Sequence, residues 1–426
     1  MNTYQYTKQL LDGIERLDIM KDIYNLSGSF YDEPRFFYFA ASIGPSSYYK
    51  IKGYSKSPKI EGGGLSFNSP ELALLKSMGE GIERFAQVCY NPKKIITITY
   101  KQLQKKGIKA IDPICFGFLQ DAQTIKLGWT EGFVPESNDK ILIPAQLLFL
   151  TWRKYANEPF ITENITTGAA AGSTKEQAIL SGLYEAVERD ATMSAYLNRI
   201  PLSPFELKTI DDERIQKMIT VCYRYRITPY IFDATNDVGV PVYITLLYDA
   251  TNGPVITVGS KADLNQINAI YHSIEEAFMG RMYVRRVLLK EPSASIDKLS
   301  PLQITSNKAM YLYWASKKNR HRLGFLLGNT CIPFDNKNHS NHSTQDSLRF
   351  VLKRLQSIHM SVYVVNLTLP ELEKCNFHVY KAIVPGLQPL YIDQSRPFFN
   401  RKRLKRVAAF FGQKQPRIYP FPHPFP

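Results

Sequence analysis

Two short stretches of this chain repeat one another: Glu80-Gly-Ile-Glu83-Arg84 and Glu185-Ala-Val-Glu188-Arg189. Acids three residues apart share one face of a helix, so the repeat fixes what both segments can be. At about 100° per residue, the first gathers Leu75, Met78, Ile82, Phe85 and Cys89 on one side. Ser77, Glu80 and Arg84 fall opposite, with Glu83 beside them. In the second, Ile179, Leu183, Ala186 and Val187 share a side, and Gln177, Ser181, Glu185, Glu188 and Arg189 line the other. Each helix should bury one face and present two carboxylates and a guanidinium on the other. Ser69-Pro70-Glu71 reads as an N-cap and first turn, with the helix running to about Tyr90. Thr174-Lys-Glu-Gln177 has the capping-box pattern and opens the second helix.

A single Glu-x-x-Glu-Arg is most simply a solvated helix face. Two copies, each behind a small-residue stretch and a clear start signal, weigh against that reading. If the helices pair, four carboxylates converge, and like charges that close need a cation. Mg²⁺ suits them, because it takes a few carboxylates and completes its shell with phosphate or water. The arginines can then bind phosphate oxygens bidentately. Standard nucleotide loops are absent. In Gly172-Ser-Thr-Lys175-Glu176 the Lys follows Thr and precedes Glu, so it is no P-loop, and no Gly-x-Gly-x-x-Gly follows a strand.

The remaining pattern mixes strands and helices. Gly62, Gly63 and Gly64 read as a loop, as does the small-residue run Thr166 to Gly172. Ile95–Tyr100, Ile141–Pro144, Val240–Tyr248, Pro254–Gly259 and Ser361–Asn366 read as strands. A third long helix is expected from about Asp263 to Leu289. The fold class is α/β, mixed α+β, with mixed sheets and long helices. With hydrophobic residues at 44%, a sizeable core can form. The net charge of +15 favours an anionic partner without choosing one. Five scattered cysteines with no Cys-x-x-Cys predict neither disulfides nor a zinc ribbon. His339-Ser-Asn-His342 in a polar loop is a weak zinc candidate. The basic runs Arg401–Arg406 and Lys317–Arg322 read first as solvated surface, then as partner docking; nucleic acid is the last choice. The start lacks a secretory h-region, and the apolar run Ile141–Trp152 is too short to span a bilayer. A cytoplasmic protein without membrane contact is the expectation.

Ser77-Met-Gly-Glu80-Gly-Ile-Glu83-Arg84 resembles the Ser-x-x-Glu-x-x-Glu-Arg signature of the YcaO family. Thr166 through Asp190 resembles that family's second signature, and Ser273-Ile-Glu-Glu276-Ala-Phe-Met-Gly-Arg281 its third. Val362–Pro370 and Val384–Leu390 resemble its late segments. The resemblance implies an N-terminal region at 1–60, a YcaO ATP-binding catalytic domain at 61–400 and a tail at 401–426. It implies ATP and Mg²⁺ as cofactors, with Glu80, Glu83, Glu185 and Glu188 as metal ligands. Arg84, Arg189 and Arg281 would face phosphate, while Ser77, Ser173, Gln177 and Glu276 would contact the nucleotide. Ser173 stands where relatives often carry Asn, Gln177 where they often carry an acid, and Met279 where Gln is common.

The tail Pro422-His-Pro424-Phe-Pro426 is a stiff polyproline segment that orders at little entropic cost. It is similar to the Pro-x-Pro-x-Pro end of the azoline-forming cyclodehydratases, the SagD-like group. That likeness implies an ATP-dependent cyclodehydratase making thiazoline or oxazoline rings from Cys, Ser or Thr of a ribosomal precursor peptide, as in bacteriocin maturation. The carboxylate of Pro426, with Arg189 and Arg281, would belong to the catalytic set. An E1-like leader-peptide-binding partner and a homodimer are implied by analogy. The alternatives are a thioamide- or amidine-forming relative and a non-catalytic docking protein that keeps the fold.

Overall fold

The computed structural model describes residues 8–425 except 9–10, 12–13, 16–17, 45–59, 118, 151, 153–157, 164, 252, 292–298, 337–341 and 415–417. His339 and Pro426 therefore lie outside the described residues. In chain order the strands are β1 (Met20–Asn25), β2 (Phe37–Ile43), β3 (Ile60–Ser66), β4 (Ile96–Thr99), β5 (Lys126–Phe133) and β6 (Lys140–Pro144). They continue with β7 (Ala169–Gly172), β8 (Ile227–Asp233), β9 (Val242–Asp249), β10 (Ile256–Ala262), β11 (Tyr363–Asn366) and β12 (His378–Ile383). Four helices carry or brace the residues of interest: α1 (Pro70–Ala86), α2 (Lys175–Leu197), α3 (Gln266–Lys290) and α4 (Arg401–Phe410). The mixed α/β class is as the sequence implies.

The chain forms two compact units, and the boundary falls inside α2. Unit 1 comprises 1–29, 36–186 and 343–386; unit 2 comprises 30–35, 187–342 and 387–426. In unit 1 the N-terminal strands join the helix that carries the first acidic motif, since β1, β2 and β3 form one antiparallel sheet. A second sheet has the order β4-β5-β11-β12-β7, with β6 also paired to β5. One core cluster runs under both, from Ile43 and Phe85 to Val379 and Ile383. In unit 2, β8, β9 and β10 form an antiparallel meander against which α3 packs.

The glycines at 62–64 are not a loop; they lie within β3. The reason is close helix packing. A Cβ on Gly62 would strike the Ser77 carbonyl and the Gly81 amide, and one on Gly64 the Ala73 carbonyl. Helix α1 therefore rests directly on strand backbone. In unit 2, a Cβ on Gly259 of β10 would strike the Ser273 carbonyl and the Ala277 amide of α3. Likewise, Ala169–Gly172 of the expected small-residue loop forms β7, pairing with β12. The helix starts match the sequence signals: the Ser69 side chain accepts from the Leu72 amide at 3.0 Å.

Candidate active site

In unit 1, the Gly63 amide of β3 donates to Glu80 Oε2 at 2.6 Å. The other oxygen, Oε1, pairs with Arg84 at 2.5 Å. Arg84 also donates to the Glu61 carbonyl, so it bridges helix and strand while remaining 37% exposed. The same device recurs on α2, where the Gly168 amide donates to Glu185 Oε2 at 2.9 Å. Gly168 needs its positive φ of 83°, and a Cβ there would strike the Ala382 carbonyl. Glu83 is held well above the usual carboxylate range, first by burial and then by the charges of Glu185 and Glu80.

A lysine that the motifs do not include lies within electrostatic reach of Glu185 and Glu83. Lys381 of β12 is 3% exposed, and its Nζ donates to the Ile165 carbonyl at 2.7 Å and to Gln87 Oε1 at 3.2 Å. Burial pulls it down to about 8, while Glu185 and Glu83 pull the other way.

Ser77 is fully buried and donates to the Leu74 carbonyl of its own helix at 2.8 Å. Ser173 and Gln177 bond each other: the Ser173 amide and hydroxyl both donate to Gln177 Oε1, at 2.9 and 2.7 Å. The capping box is thus shifted, with Gln177 reaching back to Ser173, while Thr174 Oγ1 accepts from the Gln177 amide.

In unit 2, Ser260 of β10 joins two acids. Its hydroxyl donates to Glu188 Oε1 at 2.7 Å and its amide to Glu276 Oε2 at 2.6 Å. The Ala262 amide adds a bond to Glu188 Oε2 at 3.3 Å, and Lys261 Nζ lies 4.0 Å from it. Glu276 is pushed up to about 7 by burial and then by Glu188, against Arg189 and Lys261. Arg189 is buried beside them and also within electrostatic reach of His423.

Arg281 departs from its expected role. Its Nε donates to both oxygens of Glu33 (3.0 and 2.8 Å), Nη1 to the Pro254 carbonyl and Nη2 to Asp249 (2.7 Å). Every nitrogen is engaged inside unit 2, where the guanidinium, with Arg285 also on Glu33, offsets two buried acids and presents no fork to a phosphate. In the basic run 401–406, Arg401, Lys402, Lys405 and Arg406 are exposed as a solvated surface requires, and Arg403 alone departs from it. Arg403 is 2% exposed and grips Asp190 through Nε and Nη2, with Asp237 on Nη1. Asp190 follows Arg189 in the second motif, so this pair braces the motif's end.

The C-terminal segment folds into unit 2. Phe425 is buried against Tyr196, whose hydroxyl donates to the Pro422 carbonyl at 2.7 Å. His423 is buried, its Nε2 is 2.5 Å from the Tyr391 carbonyl, and burial lowers it to about 4. Arg322 stacks on Phe421 and Arg199 on Tyr419, so the second basic run also contributes to tail packing.

Residues 67–388 match the family model described as YcaO cyclodehydratase, ATP- and Mg²⁺-binding. The chain belongs to the YcaO family. Among solved structures, the fold is similar to a heterocyclase in complex with substrate and cofactor, with TM-score 0.74 and 16% identity over 98% of this chain. This chain spans only 57% of that heterocyclase's length. It is also similar to YcaO from Methanopyrus kandleri bound with AMPPCP and Mg²⁺ (TM-score 0.69, 16% identity, 94% of each chain). A further likeness is to the E. coli microcin synthetase McbBCD complex with pro-MccB17 bound (TM-score 0.56, 16% identity, 85% of this chain and 87% of that one). At such identities these likenesses speak to the fold.

Do the family's cofactors suit these residues? Among the described residues no three His, Cys, Asp or Glu side chains gather as a ready-made ligand set. The acids are instead tied off by backbone amides, Ser260, Arg84 and lysines. Two observations still fit a divalent cation bound with phosphate. Glu83 and Glu185 in unit 1 repel one another, as do Glu276 and Glu188 on Ser260 in unit 2, with one carboxylate of each pair forced upward. Mg²⁺ commonly takes one or two carboxylates and fills its shell from phosphate and water. Sequence reading missed Lys381, Ser260, the Asp190–Arg403 pair and His423. The signal for Lys381 was available: it is the one charged residue in the apolar run Val379-Tyr-Lys-Ala-Ile383, a strand buried throughout. Among the described residues no helix is long and apolar enough to cross a membrane.

Proposed function

We propose that this YcaO protein is an ATP-dependent cyclodehydratase that forms azoline rings in a ribosomal precursor peptide. The observation that carries the reading is the pair of mutually repelling carboxylates in each unit, half-buried except for the buried Glu188, on helices packed against strand backbone and belonging to an ATP- and Mg²⁺-binding family. Glu83 with Glu185, and Glu188 with Glu276, are the proposed anchors for Mg²⁺. When bound, Mg²⁺ supplies charge neutralisation for the nucleotide phosphates. The clips from Gly63, Gly168 and Ser260 hold Glu80, Glu185 and Glu276 in fixed orientations before any ligand arrives. Arg84 and Arg189 are the proposed phosphate-facing arginines, and Arg281 is a positioning residue for α3.

In the proposed reaction, a Cys, Ser or Thr side chain of the peptide attacks the preceding carbonyl carbon and loses its proton. The resulting oxyanion accepts the γ-phosphoryl group of ATP. Phosphate then departs with the former carbonyl oxygen as the amide nitrogen gives up its proton, leaving the C=N bond of the ring. The nucleophile belongs to the substrate, so no Ser-His-Asp or Cys-His set is required of the enzyme. The likeness of Pro422-His-Pro-Phe-Pro426 to the Pro-x-Pro-x-Pro segment of the azoline-forming group supports that branch over thioamide or amidine formation, and Pro422 to Phe425 pack into unit 2. A leader-binding partner protein completes the proposed system.

The test is incubation with Mg-ATP, a Cys/Ser/Thr-rich precursor peptide and a candidate E1-like partner, following peptide mass and phosphate together. Loss of one water per ring, matched by phosphate and abolished by Glu83→Gln and by removal of 422–426, is the expected result. Sulfur-for-oxygen exchange that requires sulfide would replace this reading with thioamidation. Failure to bind Mg-ATP would leave a docking protein.

A further inference from the structure

Arg281 is sealed between Glu33 and Asp249, with its remaining nitrogen on the Pro254 carbonyl. A phosphate in unit 2 must therefore be met by other cations. Arg189 is buried, and the Arg403 side chain is fully enclosed against Asp190. Lys261 of β10 differs from both. Its Nζ lies 4.0 Å from Glu188 Oε2, and its side chain is 44% exposed. It is a cation that both touches an acid of the candidate site and reaches solvent.

The backbone around it is fixed. Strand β10 ends its sheet, in the order β10-β9-β8, and Lys261 is opposite Tyr243 of β9. The Asp263 amide turns to the Pro241 carbonyl on the β9 side, so by alternation the Ser260 and Ala262 amides leave on the other edge. Glu276 and Glu188 take them there, at 2.6 and 3.3 Å. Side chains alternate as well, so Lys261 shares the face of Gly259, on which α3 rests. Glu188 does not depend on the lysine. The Ser260 hydroxyl holds its Oε1 at 2.7 Å and the Ala262 amide its Oε2, while the ammonium stands at the outer limit of an ion pair. A lysine is a point charge with three donors on a flexible four-carbon stem, and it can pivot from a distant acid to a multivalent anion.

We propose that Lys261 is a phosphate-binding residue of unit 2, its ammonium turning from Glu188 to the polyphosphate of a bound nucleotide while β10 holds its backbone in place. This deepens the reading of Glu188 and Glu276 as a metal–nucleotide site and rests on it. The lysine acts on phosphate charge and not on the base or sugar. Its removal should therefore weaken ATP most, ADP less and AMP least. For ATP the loss should be on the order of ten-fold, the scale of one charge-assisted hydrogen bond.

The experiment is calorimetric titration of the full chain with ATP, ADP and AMP in excess Mg²⁺, beside thermal melts of the nucleotide-free protein. Wild type, Lys261→Met and Lys261→Arg are compared. Lys261→Met should melt with the wild type, as expected for a weak, half-exposed pair, and lose affinity in step with phosphate number. Lys261→Arg keeps the cation and should recover most of the ATP affinity. Unchanged ATP affinity in Lys261→Met, or an equal loss for ATP and AMP, overturns the proposal. A Lys261→Met protein that melts far lower or does not fold makes the lysine a structural partner of Glu188 and also overturns it. A wild type that binds no Mg-ATP defeats the functional reading and this proposal with it. A wild type that binds Mg-ATP no better than Lys261→Met does defeats this proposal alone.

Discussion

The two units repeat one backbone device and differ in the charges placed on it. In unit 1, α1 lies on β3 through Gly62, and the Gly63 amide clips Glu80. In unit 2, α3 lies on β10 through Gly259, and the next amide, Ser260, clips Glu276. Ser77 and Ser273 occupy matching places, each donating to the carbonyl three residues earlier. The arginines then diverge. Arg84 is partly exposed and bridges Glu80 to the Glu61 carbonyl, whereas Arg281 is sealed between Glu33 and Asp249. The counter-charges diverge too. Unit 1 holds a buried lysine within electrostatic reach of its acids; unit 2 uses the Ser260 hydroxyl, with Lys261 and Arg189 nearby. Glycine packing sets the backbone geometry, and the surrounding side chains decide what the acids can bind.

The sharpest way to break this comparison is at the arginines. Arg281→Met strands Asp249 and leaves Glu33 to Arg285 alone, and should cost roughly 3–5 kcal/mol in urea unfolding, as expected for a broken buried pair. The acid limb comes next. His423 is depressed to about 4 against an ordinary value near 6.5, so it takes up a proton more readily when unfolded. Its contribution is whole above pH 6.5 and is lost as pH falls toward 4, by up to roughly 3 kcal/mol. His423→Phe should flatten that limb in tail-protection or melting measurements. A still steep acid loss would assign it to other groups.

Equivalence of the acids is tested by activity. Glu83→Gln and Glu276→Gln should each slow phosphate release by roughly 100-fold, the scale of losing one preorganised electrostatic contact. A loss in only one variant would show that the units are alike in backbone alone. Gly62→Ala and Gly259→Ala should each cost about 1–3 kcal/mol, since both push a methyl into helix backbone. The smallest effect belongs to Arg84→Met, whose exposed pair is worth under about 1 kcal/mol of stability. A large destabilisation there would erase the contrast with Arg281.

The sequence alone determined the elements and the chemistry available to them. The Ser69 and Thr174 signals located the starts of α1 and α2, because a helix start needs acceptors for its unpaired amides and few residue types supply them. Helical period placed Met78, Ile82 and Phe85 in the core and Glu80 and Glu83 away from it. The ordered motifs were enough to identify the family. Tertiary structure decided the partners. Gly62 to Gly64 read as a loop because composition cannot distinguish a turn from a strand approached closely by a helix. Arg281 and Arg403 read as a phosphate contact and a surface charge because their acids, Glu33 and Asp190, lie more than two hundred residues away in the chain. Lys381 comes within electrostatic reach of Glu185 only because β12 pairs with β7. A carboxylate's charge, affinity and role depend on what lies within a few ångströms, and that neighbourhood is assembled from distant segments of the chain.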